Sequence, residues 1–584
     1  MDQSLGFTSD SDGRAPITDT ASSTRIFGLE EPMIARASAA PTHPLHYKQT
    51  SVRIDCALGH TLPIGWVVGS ERSAPPRHCT FCAETVHRAL DLKEFGEMSQ
   101  NIATSHQLLI DGKWVDPIGG ETIASYDPST GELLANLAAA GPEDVEAAVK
   151  AARRAFDDGP WRTMPAEARA RILHRFADLI EENADEIALI DTQDCGKPYA
   201  FIRDVDLPNM ADLVRYMAGW TTKLEGRTIP LSRQSPADFL SYTRRQPVGV
   251  VAQIIPWNGA ALACVWKLAP ALAAGCTVVL KPAELASLAP LKIGELAVQA
   301  GFPDGVVNVI TGTGKDVGAP LAGHPAVDKV AFTGSVGTGK SIVASAAANL
   351  SKMTLELGGK SPVVIYDDAD LDKAVDGALG AVLYAQGEAC TAGSRLYVQR
   401  GVYDEVQKRV AAAVPGLKIG ASRERDVLVG PLISDNHRSK VMGFIDGAVK
   451  EGADVIAGGD GPHGPGYYLA PTVLGGVHDD MTVAREEIFG PVVSLMSFDT
   501  EEEVIRRAND TTFGLAAGVW TKDVGRAHRY AEKVNAGAVW INCYNVFDAA
   551  LPFGGFKHSG WGKEMGEEAL DGYLQSKAVT LSLS

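Results

Sequence analysis

A glycine-rich segment, "FTGSVGTGKS" at 332–341, carries residue types that could bind phosphate. Its pattern Gly-x4-Gly-Lys-Ser is that of a P-loop, and it follows the apolar run "VDKVAF" as such a loop follows a strand. Downstream, "SPVVIYDDAD" ends near Asp367 and Asp368, which could hold magnesium. In a dinucleotide-dependent enzyme the same turn would offer backbone N–H groups and a positive helix end to a pyrophosphate. The turn alone therefore does not distinguish a nucleotide hydrolase from a dinucleotide-dependent enzyme.

A second group of candidate ligands lies in the N-terminal segment 1–105, which is rich in Ser, Thr, Pro, Arg and His and lacks a sustained helical or strand period. Cys-x3-His followed by His-Cys-x2-Cys could form a small zinc site, although the spacing is not that of a standard finger. We therefore predict a poorly ordered extension without a metal, and keep zinc as the alternative. The residues concerned are Cys56, His60, His78, Cys79 and Cys82.

Composition excludes several classes of protein. The 584 residues carry a formal charge of −18, which argues against nucleic-acid binding. The eight cysteines are scattered and no secretory signal is visible, so a cytoplasmic, reducing location is expected. The longest apolar stretch, 259–280, is interrupted by Lys267 and Pro270, so it is predicted to be a buried helix and strand rather than a membrane span.

Apolar runs and helical periods alternate from residue 106 onward. Short strands and the helix of "GPEDVEAAVKAARRAFDDG" come first. The runs "GVVAQIIPW", "CTVVLKPAE", "GVVNVIT" and "VDKVAFT" then read as buried parallel strands, with helical segments between them. This alternation predicts a doubly wound α/β sheet, followed by a second alternating region from about Leu357. The tail "KAVTLSLS" reads as an edge strand that needs a partner.

Several short motifs, which follow one another along the chain in the family's order, resemble those of NAD(P)-dependent aldehyde dehydrogenases of the hydrolytic type. "LELGGKSP" holds Glu356 and "GEACTAGSR" holds Cys390, accompanied by "IIPWN", "KPAE", "FTGS", "EEIFGPV" and "PFGGFKHSG". The resemblance covers the chain from about residue 106 to its end. It implies a Rossmann-type NAD-binding domain (106–228 and 248–356), an α/β catalytic domain (357–565) and a β oligomerisation flap (229–247 and 566–584).

The resemblance also implies a thiol mechanism. Oxidising an aldehyde to an acid needs a tetrahedral carbon that can release hydride, and a thiolate creates it by adding to the carbonyl, so Cys390 is the proposed nucleophile. The Asn258 amide and the Cys390 backbone N–H would stabilise the oxyanion. Glu356 would be the general base for the water that cleaves the thioester. Lys267 and Glu564 match positions linked to proton relay, and Glu564 is the expected partner of Lys267 in its apolar helix.

Matching positions also imply an NAD site. Lys281 and Glu284 would bind the adenosine ribose, where a carboxylate accepts hydrogen bonds from a 2′-hydroxyl and repels a 2′-phosphate, which favours NAD over NADP. Ser335 and the helix after it would face the pyrophosphate, while Glu487 and Phe489 would contact the nicotinamide ribose and ring. The remaining cofactor positions are Trp257, Gly314, Gly334 and Gly339.

The substrate tunnel departs from the pattern of many relatives, which carry an aromatic residue and proline after "PWN". Here Gly259 and Ala260 follow, so the entrance should be wider, while the remaining aromatic walls suit a flat or apolar tail. We therefore expect a medium-sized or aromatic aldehyde. The wall positions are Gly259, Leu262, Ala263, Trp266, Tyr384, Ala389, Thr391, Asn545, Phe547 and Phe553.

Three further expectations follow from the resemblance. A coenzyme-A-acylating aldehyde dehydrogenase is the alternative within enzymes, although such relatives generally lack the glutamate that is Glu356 here. A P-loop nucleotide hydrolase is the remote alternative. In the favoured interpretation Lys340 and Ser341 begin a solvated helix and "YDDAD" is a polar turn that caps the next helix. The segments "LSYTRRQPV" and "KAVTLSLS" match strands that build oligomers, so a homodimer or homotetramer is expected by analogy.

Overall fold

The computed structural model of the chain describes residues 106–462 and 464–583. The expected N-terminal extension and the zinc alternative lie outside these residues. The strands are β1 Leu108–Ile110, β2 Lys113–Val115, β3 Thr122–Tyr126, β4 Leu133–Ala138, β5 Phe239–Pro247, β6 Val250–Ile254, β7 Thr277–Lys281, β8 Val307–Val309, β9 Lys329–Thr333, β10 Lys352–Glu356, β11 Pro362–Ile365, β12 Arg395–Gln399, β13 Asp454–Ala457, β14 Thr472–Gly475, β15 Val492–Phe498, β16 Ala516–Trp520, β17 Ala538–Ile541, β18 Gly560–Trp561 and β19 Leu574–Ser582.

Helices of nine residues or more connect these strands. They are α1 Pro142–Asp157, α2 Ala166–Glu182, α3 Ala184–Cys195, α4 Leu207–Trp220, α5 Ala260–Ala274, α6 Leu288–Ala300, α7 Val336–Ala347, α8 Leu371–Leu383, α9 Tyr403–Ala413, α10 Asp435–Glu451, α11 Glu501–Asn509 and α12 Val524–Lys533. Within the part of the chain that the structure describes, no helix has the length and hydropathy to cross a bilayer.

The first sheet has the strand order β18-β10-β9-β6-β7-β8-β1-β2, and its five central strands run parallel. The chain enters at β6, adds β7 and β8 on one side, and returns to add β9 and β10 on the other. This is a doubly wound sheet whose direction changes between β6 and β9, as the alternation predicted. Helices α5 and α6 pack into its apolar core, and α5 is buried almost throughout.

The second sheet has the order β13-β14-β15-β12-β11-β16-β17 and is parallel except for β13. The C-terminal strand β19 pairs along its length with β5, from Leu574 opposite Pro247 to Ser582 opposite Phe239. The tail thus finds its partner strand inside the same chain. The chain also returns to the first sheet, because β18 pairs antiparallel with the end of β10.

The P-loop pattern proves to be part of a capped helix. Ser335 is the N-cap of α7 and accepts a hydrogen bond from the Thr338 N–H, so Lys340 lies exposed in the second turn of α7 rather than at its start. In the second sheet, Asp368 accepts hydrogen bonds from the hydroxyl of Thr521 and the N–H of Asp523, and Asp370 caps α8. The acidic turn therefore serves helix ends, and the magnesium interpretation is not supported.

Candidate active site

The three proposed catalytic residues reach one place from distant parts of the sequence. Glu356 is the last residue of β10 and Asn258 follows β6, so both lie at the carboxyl edge of the first sheet, where ligands gather in such folds. Cys390 lies in the loop before β12. The Asn258 Nδ2 donates a hydrogen bond of 2.7 Å to the carbonyl of Glu388, two residues before Cys390. The proposed oxyanion donor is thus bonded to the loop that carries the proposed nucleophile.

Gly358 and Gly359, two and three residues after Glu356, allow this approach. A Cβ at Gly359 would lie 2.4 Å from the carbonyl oxygen of Cys390, and a Cβ at Gly358 would lie 2.1 Å from a carboxylate oxygen of Glu487. The Gly359 N–H donates to the other oxygen of Glu487 at 3.0 Å. Side chains at these positions would push away the nucleophile loop or Glu487, a packing role that the sequence motif did not reveal.

Burial dominates the electrostatics of the proposed nucleophile, Cys390, and of the proposed base, Glu356. Burial, together with the charges of Glu487 and Glu356, raises the pKa of the Cys390 thiol to about 12. Burial, and then the charge of Glu564, raises the pKa of Glu356 well above its usual value. Both carboxylate oxygens of Glu356 are buried without a hydrogen-bond partner among the described residues. The site therefore rests with the thiol protonated, and the base needs help to ionise.

Lys267 and Glu564 supply charges beside that base. Lys267 Nζ and Glu564 Oε1 lie 2.5 Å apart, and the two side chains are 1% and 4% exposed. Lys267 sits in the apolar helix α5, and the pairing expected from the sequence is present. Removing either partner would leave a buried charge uncompensated, so each depends on the other.

The residues proposed for the adenosine ribose also meet. Lys281 Nζ, at the end of β7, donates to a Glu284 carboxylate oxygen at 3.1 Å. Burial opposes ionisation of Glu284, but the charge of Lys281 and the N–H groups of Glu284 and Gly314 outweigh it, so the pKa of Glu284 is lowered. Gly314 thus lies beside the carboxylate. At neutral pH Glu284 is an anion, a suitable acceptor for sugar hydroxyls.

The glycines around Ser335 differ in their surroundings. The Gly334 N–H donates to the Glu356 carbonyl at 3.0 Å, which ties the start of α7 to the strand that carries the proposed base. The Gly339 N–H donates to the Ser335 carbonyl, and a Cβ there would lie 2.8 Å from Leu357. Gly339 therefore serves helix packing and offers no free N–H, whereas the first turn of α7 keeps N–H groups without intrahelical acceptors.

An aromatic cluster surrounds Phe489, which lies two residues after Glu487. The ring of Phe489 meets that of Trp257 edge to face at 5.3 Å, and both contact His437. His437 Nε2 donates to the Phe489 carbonyl at 2.6 Å and lies 3.6 Å from a carboxylate oxygen of Glu388. His437 thus connects the nucleophile loop with Phe489. A single histidine in α10 gave no sequence signal for this role.

Comparison with known proteins identifies the family of the chain. The model of the "Aldehyde dehydrogenase family" matches residues 114–579. The chain belongs to this family. It is 47% identical over 480 residues to the aldehyde dehydrogenase, mitochondrial, of Homo sapiens, covering 82% of this chain and 92% of that protein. It is 48% identical to aldehyde dehydrogenase 1 of Tanacetum cinerariifolium over 81% of this chain and 94% of that protein. The NAD+ complex of a Bacillus cereus aldehyde dehydrogenase superposes with a TM-score of 0.81 at 46% identity, over 85% of this chain and 99% of that chain.

In this aldehyde dehydrogenase, three of the proposed substrate-pocket positions form an aromatic cluster. The ring of Trp266 lies 5.9 Å from Phe547 and 5.5 Å from Phe553, and those two rings are 5.5 Å apart. Near the nucleophile, Thr391 Oγ1 donates to the side-chain oxygen of Asn545 at 2.9 Å. Of the other proposed wall positions, Leu262 and Ala263 pack on the same core and Ala389 is buried. A Cβ at Gly259 would meet nothing closer than 3.9 Å.

Tyr384 is held by a buried ion pair that sequence reasoning did not anticipate. Lys197 and Asp206 are in contact and buried. The Tyr384 hydroxyl donates to Asp206 at 2.8 Å and accepts from Lys197 at 2.7 Å. The hydroxyl is therefore occupied, and only the ring of Tyr384 is left to form a tunnel wall.

Proposed function

We propose that this chain is an NAD-dependent aldehyde dehydrogenase that oxidises a medium-sized or aromatic aldehyde to the carboxylic acid. The observation that carries the proposal is the convergence of Cys390, Glu356 and Asn258 at the carboxyl edge of the doubly wound sheet. Family membership supports the reaction class.

Each of these residues has a step. The Cys390 sulfur, once deprotonated, adds to the aldehyde carbon, and the oxygen that becomes an anion is stabilised by the Asn258 amide and the Cys390 N–H. Asn258 uses one amide hydrogen on the Glu388 carbonyl, which leaves the other for substrate. NAD, when bound, accepts the hydride that the tetrahedral carbon releases. Glu356 then takes a proton from the water that cleaves the resulting thioester, which regenerates the thiol.

The residues present fit NAD. The ionised Glu284 beside Lys281 suits a ribose diol, and its charge would repel a 2′-phosphate. The first turn of α7 after Ser335 offers N–H groups to a pyrophosphate. Glu487 and Phe489 would hold the nicotinamide riboside against the nucleophile loop. NAD is therefore favoured over NADP. The Bacillus cereus neighbour is described as an NAD+ complex, which supports the same choice.

The substrate class and the cofactor choice have one direct test. With NAD, kcat/KM should be higher for benzaldehyde and phenylacetaldehyde than for acetaldehyde, because the wall formed by Trp266, Phe547 and Phe553 binds flat apolar groups. With NADP, kcat/KM should be lower for every aldehyde. The measurement is the initial rate of reduced-nicotinamide formation across the panel. Preference for acetaldehyde would contradict the substrate proposal, and preference for NADP would contradict the role of Glu284.

We also propose a cytoplasmic homodimer or homotetramer. The five cysteines among the described residues are free thiols, which fits a reducing compartment. The β5–β19 ribbon exposes Leu240 and Leu581, at 41% and 50%, a surface suited to a second copy. Light scattering should give two or four times the chain mass, and deleting 574–584 should lower it. A wild-type monomer, or recovery of the protein with membranes or secreted medium, would contradict these proposals.

A further inference from the structure

The nucleophile loop, residues 384–394 between α8 and β12, contains three consecutive residues with left-handed backbone. The φ angles of Ala385, Gln386 and Gly387 are 50°, 47° and 77°. Glycine is required at 387, where a Cβ would lie 2.2 Å from the carbonyl oxygen of Gly490. Alanine and glutamine adopt this conformation only at a cost in free energy. A strained segment of this kind keeps its shape only where neighbouring contacts hold it.

Glu388, the next residue, supplies such contacts. It is 0% exposed. Its Oε1 accepts a hydrogen bond from the Ile433 N–H at 3.0 Å, and its Oε2 accepts one from Gln386 Nε2 at 2.8 Å. Its own N–H donates to the Ala385 carbonyl at 2.8 Å. The buried carboxyl therefore ties the left-handed segment to the chain just before α10.

The backbone carbonyl of Glu388 holds the proposed oxyanion donor. It accepts the 2.7 Å hydrogen bond from Asn258 Nδ2. A side-chain amide is planar, so fixing one of its N–H groups sets the direction in which the other points. That second N–H is the one left for the substrate oxygen. A small rotation of the Glu388 peptide would therefore redirect the oxyanion donor without any change in Asn258 itself.

The sulfur side of the loop has separate anchors. Tyr544 Oη donates to the Thr391 carbonyl at 2.8 Å, and Thr391 Oγ1 donates to Asn545 at 2.9 Å. Neither bond involves Glu388. The loop is therefore held at two places, and the contacts of Glu388 can be lost while Cys390 keeps its position.

We propose that Glu388 is a positioning residue for the oxidation: its buried carboxyl holds the left-handed segment, and its carbonyl directs the Asn258 amide toward the oxyanion. This inference rests on the proposed function, in which Asn258 is the oxyanion donor. Burial raises the pKa of Glu388 well above its usual value, which favours the neutral form, so a neutral side chain of the same shape should serve. Glutamine is such a side chain. Its Oε1 can accept from the Ile433 N–H, while its Nε2 donates to the turned amide of Gln386, whose Oε1 is buried without a partner among the described residues.

The test compares two variants of the full chain in steady-state aldehyde oxidation with NAD. Glu388→Leu leaves two buried donors unpaired. Its kcat/KM for the aldehyde should fall by about 30-fold, part of the roughly 100- to 1,000-fold that losing an oxyanion donor costs. Glu388→Gln should stay within about threefold of wild type. The KM for NAD and the alkylation rate of Cys390 should change by less than about twofold in both variants, because the sulfur keeps its anchors.

A double-mutant cycle with Asn258→Ala separates this role from a general loss of stability. Because Glu388 acts through Asn258, Glu388→Leu should cost no more than about threefold in the Asn258→Ala background. The matched control is Asp194→Asn. Asp194 is also 0% exposed, and its hydrogen bonds to Ser125 at 2.6 Å and to the Leu288 N–H at 2.7 Å lie outside the nucleophile loop. Its effect on kcat/KM should be equal in both backgrounds.

A second variant decides the matter if Glu388→Leu does not fold. In Gln386→Asn the new side chain tolerates left-handed backbone but is one carbon too short to reach Glu388, so kcat/KM should fall by about threefold, and only while Asn258 is present. Wild-type kcat/KM in Glu388→Leu, an equal loss in Glu388→Gln, or losses that add to that of Asn258→Ala would overturn the inference. Full activity of Asn258→Ala would overturn it too. A wild-type protein that oxidises no aldehyde would instead overturn the proposed function.

Discussion

Replacing Cys390 with alanine should abolish formation of reduced nicotinamide with every aldehyde, lowering kcat/KM by at least about 1,000-fold. The reason is chemical: without the sulfur, no tetrahedral carbon forms from which hydride can leave. The loop itself should persist, because the Asn258 bond goes to the Glu388 carbonyl and the contact with Gly359 involves the backbone oxygen of Cys390. The measurement is the rate of nicotinamide absorbance change, with NAD binding to the variant checked by calorimetry.

The matched control is Cys543→Ala, which removes another partly exposed thiol and should leave the rate within about twofold. Because burial and neighbouring carboxylates raise the pKa of Cys390 to about 12, its alkylation by iodoacetamide should be slow at neutral pH and should rise with pH. Substantial turnover by Cys390→Ala would refute the nucleophile assignment. Loss of activity in Cys543→Ala instead would move the assignment to that thiol.

The first sheet was predictable because buried parallel strands and apolar helices leave distinct periods in the sequence. The runs that became β6, β7, β8 and β9 were identified on that basis, and all four lie in the parallel centre of the sheet. The two-residue strand β18 was not, because Gly560–Trp561 joins β10 across some two hundred residues of chain and has no local period. Similarly, the beginning of α7 was placed too late, since Ser335 caps it ahead of Lys340.

The site residues likewise include some that the sequence predicted and some that it did not. Cys390, Glu356 and Asn258 came from short motifs, which record residue type and spacing. Motifs do not record which buried polar groups face one another in three dimensions. His437 gains its contact with Phe489 only when α10 packs beside the nucleophile loop. That contact emerges only from the tertiary structure.

Replacing Glu356 with glutamine should stop the enzyme after one hydride. The amide cannot accept a proton from water, so the acyl group remains on Cys390 and the steady-state rate should fall by about 100-fold or more. Rapid mixing with aldehyde and NAD should show a burst of about one reduced nicotinamide per site. Mass spectrometry should then find the Cys390 peptide carrying the acyl group.

Glutamine fits the same space, where Gly554 lies beside the carboxylate and no hydrogen bond is lost, because neither oxygen of Glu356 has a partner among the described residues. Glu567→Gln, an exposed carboxyl near Glu564, is the control and should turn over normally. If the burst is absent at neutral pH and appears at higher pH, Glu356 also deprotonates Cys390, because hydroxide replaces the base at higher pH. A wild-type steady state in Glu356→Gln would exclude Glu356 as the base.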